Sequence, residues 1–581
     1  MSSYLKFRTA RTLRKIKRNA HTLRLWTSNY LNRHVYGAWR RLGPARNMFV
    51  AWVALAIICL AGVVQGIGRL DQFYMTTKPM MGGIYSEGLT GNVSVVNPIL
   101  PGKAAEDDVT SLVFNGLTKL DQERQIKPDL AESWQPASDL KSYTFHLRKN
   151  VYWHDGVKFD AYDVAFTISA IQNPDTRSPL AANWTGVKYE VINDTTIKII
   201  LPTVYPRFLN NTTVGILPRH ILESTKPSTL RISEFNQKPI GTGPFKLDPL
   251  TGQTDKIVLR ANQAYFEGQP NFSEVHFVVY DKPADLIEGY ARKQIAAISR
   301  IRSENANQAE KFDDLKINRL SLPAYVGLFL NLKSPGMADI HLRRALAEAT
   351  DRGQIIEAGM HDEATPVYFP VSPSSANENL KKFKLAFDTN QAKVELNQAP
   401  GLSAIKAKPI KLVTLDDAEM AKIAELVKEQ WGKIGINVQV VKATDVNDLQ
   451  QRFIRARDYD VLLYGQNVGA DADVYSFWHS SQISDPGLNL SSYKNAEADK
   501  LLESGRLAKD AKYRADKYVR FNQIWASDAP AILLYSPHYL YGQNRAIKGL
   551  TAKKIVQPSD RLLDINKWYI RSESVPVGHS R

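Results

Sequence analysis

The chain has 581 residues, 44% hydrophobic and 23% charged, with a formal net charge of +16 and a single cysteine. That length implies two or more domains, the composition excludes a disordered chain, and the lone Cys59 excludes a disulfide or a cysteine-based metal site within one chain. The charge is concentrated: residues 1–46 hold twelve Lys or Arg and no acid, which leaves 63 of the 75 basic residues against 59 acids, a balance of +4 for everything that follows. The body is close to neutral and offers no argument for nucleic acid as a partner.

In chain order, residues 1–47 form a basic arm and residues 48–68 an apolar segment. From Phe49 to Ile67 there is no charge and one polar residue, Gln65, over a length that spans a bilayer core as a helix. This predicts one transmembrane helix. Twelve basic residues before it, against Arg69 and Lys78 just after it, place the N-terminus in the cytoplasm and the rest outside. The expected localisation is therefore a single-pass protein of the cell membrane, with lipid contacted through residues 1–68. The arm itself suits an anionic leaflet, or a cytoplasmic partner. Residues 69–83 read as a tether, and the globular part is expected to begin near Ile84.

Beyond the tether, strand and helix signals mix without a repeat. The run YTFHL sets Tyr143, Phe145 and Leu147 on one face at period two. The run IHLRRALAEA sets Leu342, Ala345, Leu346 and Ala349 on one helical face behind Asp339 as a cap. Strand Ile410–Val413, a helix carrying Met420, Ile423, Ala424, Val427 and Trp431, and strand INVQVV make a crossover unit that implies parallel neighbours. The fold class is α/β, mixed α+β.

Three segments, LVFNGL, IKPDLAESW and YTFHLRKNVYWHDGVKFDAYDV, stand in order between Leu112 and Val164. With ILPRH, PIGTGPFKL, NQAYFEGQP, LNLKSPGMADIHLRRALAEATDR and NLSSYKN further on, they resemble the family 5 extracellular solute-binding proteins, which include the oligopeptide- and dipeptide-binding receptors of ABC importers. The resemblance implies a two-lobed periplasmic-binding-protein-like fold of class II with an extra inserted domain. Lobe I is expected from 84–120 with 238–330 and 531–575, the inserted domain from 121–237 and lobe II from 331–530, with crossings near Leu330 and Ala531. The implied partners are a peptide or other small solute and the permease subunits of an importer, with no cofactor, no metal and no catalysis. A solute-sensing membrane receptor without transport, or a membrane-tethered peptide hydrolase, are the other readings of such a chain.

In peptide-binding relatives an aspartate in an A-D segment of the second lobe meets the ligand's α-ammonium group. Asp471 in VLLYGQNVGADADVYSFW matches it, with Asp473 as alternate. The resemblance also implies an edge strand at Lys103, Ala104 and Ala105 and a facing backbone at Gln466, Asn467 and Val468, with Trp184 and Tyr535 bordering the cleft.

The remaining motifs read as structural. His154 in WHDG is expected in a turn or at the surface. GTGPF lacks the free amides and the following helix of a phosphate cradle, because Pro244 has no N–H. Arg343, Arg344, Asp351 and Arg352 read as a solvated face or local ion pairs. No H-E-x-x-H, G-x-S-x-G or G-K-[ST] is present, and the 11 His are scattered.

Overall fold

The computed structural model describes residue 43 and residues 45–249, 255–371, 378–469, 471 and 473–576. The basic arm as far as residue 42 lies outside this set. The chain divides into two compact units, residues 1–78 with 572–581, and residues 79–571.

The first unit contains a helix, Ala45–Tyr74, and most of two paired strands, Met75–Met80 and Arg571–Pro576. The helix covers the apolar segment and exposes Val50, Trp52, Val53, Leu55, Ile57, Ile58 and Leu60. Among the described residues no helix is long and apolar enough to cross a membrane. The expected tether is replaced by structure: the helix runs on to Tyr74 and a strand follows at once. No glycine or proline between Arg69 and Lys78 interrupts the backbone ladder.

The second unit is built on a sheet of twelve strands: β1 (Ile84–Thr90), β2 (Phe245–Leu247), β3 (Lys256–Ala261), β4 (Glu274–Tyr280), β5 (Ala297–Ile301), β6 (Leu315–Ser321), β7 (Ala324–Leu330), β8 (Ala364–Pro366), β9 (Ile410–Leu415), β10 (Val438–Ala443), β11 (Val461–Asn467) and β12 (Ala531–Asn544). The order is β10-β9-β11-β7-β12-β5-β1-β4-β3-β2, with β6 and β8 also on β12. The crossover read from the sequence is present: β9 and β10 are parallel, joined by helix Ala418–Gly432, which buries Ile423, Ala424, Val427 and Trp431. A separate antiparallel sheet holds Ala131–Pro136, Ser142–Leu147, Thr196–Ile200 and Lys188–Asn193 in spatial order, and its second strand buries Tyr143, Phe145 and Leu147.

The long strand β12 joins two regions with separate cores. Residues 531–535 pair with β7, whereas residues 538–544 pair with β6. Around β1 and the four-stranded sheet one cluster gathers Tyr85, Val109, Phe145, Phe245 and Trp568. On the β7 side, two clusters centre on Leu342, Trp431 and Val461 and on Phe329, Trp478 and Trp525. The partner change falls at Leu322–Pro323 and Ser536–Pro537, upstream of Leu330 and downstream of Ala531, which lie within paired strand. Both positions carry a proline, which donates no ladder hydrogen bond.

Two buried polar arrangements hold the β1 region. The guanidinium of Arg561, fully buried, donates from Nε to Glu87 Oε1 at 3.0 Å and to both oxygens of Asp108 at 2.6 and 2.7 Å; Tyr85 and Tyr541 donate to the other Glu87 oxygen. The second joins the WHDG and GTGPF motifs. Gly241 N–H donates to His154 Nδ1 at 3.2 Å, so Nε2 carries the proton and donates to Gly243 O at 3.0 Å. Here the sequence reading needs correction: His154 stands in a turn but is buried, because the glycine loop packs over it. The glycines are required by space, since a Cβ at Gly241 would lie 1.8 Å from Val113 O and one at Gly243 2.4 Å from Leu112 O.

Arg343 and Arg352 are likewise buried, not solvated. Arg343 donates to Met337 O, Ala338 O, Asp528 O and Ala529 O, and Arg352 to Leu533 O and Leu385 O. Arg344 donates to Ser527 O, and Asp351 caps helix Arg352–Met360.

Replacing Arg561 by Met strands two buried carboxylates and is expected to lower stability by about 3–5 kcal/mol, read as a fall in the urea midpoint; adding Glu87→Gln and Asp108→Asn in the same chain should recover part of it. Burial lowers the His154 pKa from 6.5 to about 4. The folded state thus holds this ring neutral while the unfolded chain protonates it, so its contribution is complete above pH 6.5 and is lost as pH falls towards 4, by up to about 3 kcal/mol. His154→Gln should lack that part of the acid slope in unfolding curves taken between pH 7 and 4.

Candidate functional site

Strand β11 ends at Asn467 and releases a loop that carries both candidate aspartates. Asn467 Oδ1 accepts from Gly469 N at 2.8 Å, and Gly469 takes a φ of +73°, a conformation glycine adopts at little cost. Asp473 Oδ1 then accepts from Tyr475 N at 3.1 Å, starting the short helix Tyr475–Trp478. The loop is thereby held at both ends by its own side chains.

Opposite the loop stands a helical hairpin, Ala496–Leu507 capped by Asn495 and Ala511–Asp528 capped by Asp510. It presents two arginines. Arg514 Nη1 donates to Asp471 Oδ1 at 2.6 Å, and its Nη2 donates to Asp471 O at 3.1 Å and to Tyr518 Oη at 3.2 Å. Arg506 Nε lies 3.2 Å from Asp473 Oδ2, and its guanidinium stacks over Tyr475 and Tyr205. A third cation comes from the region of the four-stranded sheet: Arg207 Nε lies 3.0 Å from Asp471 Oδ1. Three guanidinium groups therefore face two carboxylates. Burial lifts the Asp471 carboxyl above its ordinary range, while Arg514 and Arg207 pull the other way.

The other expected site residues separate into groups. Gln466 is buried, with Oε1 accepting from Tyr325 Oη at 3.1 Å and Nε2 donating to Leu488 O at 3.3 Å. Asn467 Nδ2 donates to Val556 O at 3.0 Å, and Val468 N donates to Pro323 O at 2.7 Å. The Val468 amide is thus engaged within the fold. Lys103, Ala104 and Ala105 do not form an edge strand: Lys103 precedes helix Ala104–Val113, and the two alanines are its first turn. Alanine favours helix, and Glu106 and Asp107 complement the dipole at that end. Glu106 Oε1 in turn accepts from Ser94 N and Val95 N at 3.0 and 3.1 Å. Trp184 packs in the core edge-on to Phe208 with centroids 5.4 Å apart, and Tyr535 is wholly buried with no hydrogen-bond partner for its hydroxyl among the described residues.

Sequence reasoning missed Arg207, Arg506, Arg514 and Tyr205. Each lies far along the chain from the loop it meets, and none sits in a motif. Among the described residues no cluster of His, Cys, Asp and Glu could hold a metal ion.

Comparison with known proteins gives a consistent result. Residues 125–485 match the family described as bacterial extracellular solute-binding proteins, family 5 Middle. The oligopeptide-binding protein AppA of Bacillus subtilis (strain 168) is 30% identical over 514 residues, 85% of this chain and 92% of AppA. Its structure in complex with a nonapeptide superposes with a TM-score of 0.69, covering 85% of this chain and all of that one. NikZ of Campylobacter jejuni in complex with Ni(L-His) gives 0.70 at 26% identity, covering 84% and 99%. With the match extending across more than half of its length, this chain belongs to the bacterial extracellular solute-binding proteins of family 5.

Proposed function

We propose that this protein is the extracytoplasmic receptor of an ABC-type importer and captures peptides between two lobes that hinge at Leu322–Pro323 and Ser536–Pro537. The observation that carries this reading is the meeting of Arg207 with Asp471 across from each other, on regions that share only those two chain crossings. Two crossings permit rotation, and side chains that meet from the two regions line a space that closes. Relatives named for oligopeptide binding, one of them holding a nonapeptide, favour a peptide over a metal chelate as the solute.

In this reading Asp471 receives the ligand's ammonium group. Its position in a part-buried loop makes an ion pair there stronger than one in water, and Arg514 positions the carboxylate from behind. Closure excludes water without bond making or breaking, and the importer distinguishes the closed from the open form. The exposed apolar face from Val50 to Leu60 supports anchoring of residues 48–68 in the membrane, with the basic arm on the cytoplasmic side.

The purified full-length chain in detergent should gain thermal stability with a pool of peptides as RT ln(1 + [L]/Kd) and leave them intact; cleavage that co-purifies with the protein would refute a pure receptor. Asp471→Asn should weaken binding of peptides with a free amino terminus by about 2–5 kcal/mol in calorimetry and should bind N-acetylated peptides as the unchanged protein does. Protease added outside the cytoplasmic membrane should remove residues after 70 and spare the arm; digestion of the arm instead would reverse the orientation.

A further inference from the structure

The two cations on Asp471 are not equivalent. Arg514 is fixed: its side chain is 10% exposed, it makes three hydrogen bonds, and its guanidinium lies against the Tyr518 ring. Arg207 is loosely held. Its side chain is 44% exposed and meets Asp471 at one point, through Nε. It belongs to the segment that precedes Phe208–Thr213, and its side chain makes no capping hydrogen bond there. Two residues earlier, Tyr205 lies beneath the Arg506 guanidinium at 5.6 Å. The same short segment thus sets an aromatic ring on Arg506 and a cation on Asp471.

We propose that Arg207 is a built-in surrogate for the ligand's ammonium group, occupying Asp471 until an amine-bearing ligand displaces it, and that this exchange sets the affinity and specificity of the site.

The proposal rests on the reading of Asp471 as the ammonium receptor. Charge balance favours exchange over addition. Arg506 and Arg514 neutralise Asp473 and Asp471, so Arg207 brings the cluster to one net positive charge. An ammonium that replaces Arg207 leaves that balance unchanged, whereas one that joins it adds a second uncompensated cation in a part-buried site, where repulsion is weakly screened. Displacement is feasible because Arg207 is half-exposed and makes one contact, so the freed guanidinium regains water while the incoming ammonium takes over the same part-buried carboxylate. The expected consequence is a receptor that binds amine ligands less tightly than its carboxylate alone would allow and rejects those lacking a cation.

The test uses the full-length protein in detergent and an equimolar pool of neutral nonapeptides, free or N-acetylated at the amino terminus, with retention read by mass spectrometry and affinities by calorimetry. Arg207→Gln should bind the free-amine peptides at least tenfold more tightly than the unchanged protein and alter binding of the acetylated ones by less than twofold. Arg207→Lys should restore the competing cation and the weaker binding. In the Asp471→Asn background, Arg207→Gln should have no further effect. If Arg207→Gln binds free-amine peptides equally or less tightly while Asp471→Asn still abolishes the amine preference, the surrogate role is overturned and Asp471 stands as receptor. If Asp471→Asn leaves that preference intact, or neither peptide form is retained by any of the proteins, the receptor reading falls and the surrogate role falls with it.

Discussion

The interaction on which the rest depends is the buried contact of Arg561 with Glu87 and Asp108. A guanidinium with no access to water needs a partner for its donors and a counter-charge, and here Nε, Nη1 and Nη2 all find carboxylate oxygens. Burial opposes the charge on Arg561, and the two acids more than offset it, so its pKa lies above the ordinary value. Burial also raises the Glu87 carboxyl, which the Arg561 charge opposes. The arrangement is one of mutual need: any one charge left alone would be expelled.

Its value lies in the elements it joins. Glu87 belongs to β1, Asp108 to helix Ala104–Val113, Tyr541 to β12 and Arg561 to the segment Pro558–Leu562. Residues that are distant in the chain are locked at one place, which fixes the far half of β12. The near half of the same strand, from Ala531 to Tyr535, pairs instead with β7 and packs on a different core. A strand clamped at one end and handed to new partners after Ser536–Pro537 is suited to bend there. In the proposed receptor the clamp is what makes the hinge defined: one side is held to the strand and the other turns about it.

The elements that the sequence revealed were those whose burial is a local property. Tyr143, Phe145 and Leu147 alternate inward because a strand has period two, and Ile423, Ala424, Val427 and Trp431 share a face because a helix has period 3.6. The loop around Asp471 was singled out through its resemblance to a known segment. Its partners were not, because Arg207 and Arg514 reach it only after the chain has folded, and an arginine announces no spacing. The same limit explains Arg343 and Arg352. Both looked like a solvated face, yet their donors satisfy main-chain carbonyls, those of Asp528 and Ala529 at the end of helix Ala511–Asp528 among them. Lys103 to Ala105 failed for a different reason: alignment suggested an edge, while Ala104, Ala105 and the acids after them favour a helix start.

The geometry of the candidate site is set by a glycine in the hairpin behind it. At Gly505 an added Cβ would lie 2.7 Å from the Tyr518 ring, so only glycine lets helix Ala496–Leu507 pack this closely on helix Ala511–Asp528. Arg506 follows Gly505 directly, and Arg514 donates to the hydroxyl of that same Tyr518. The close approach therefore fixes two guanidinium groups relative to each other, one for Asp473 and one for Asp471. With both carboxylates matched from the hairpin side, the charge of whatever approaches from the other side is left to decide occupancy. Arg207 is that group within the chain, and its half-exposed side chain with one contact makes it the member of the cluster that can yield.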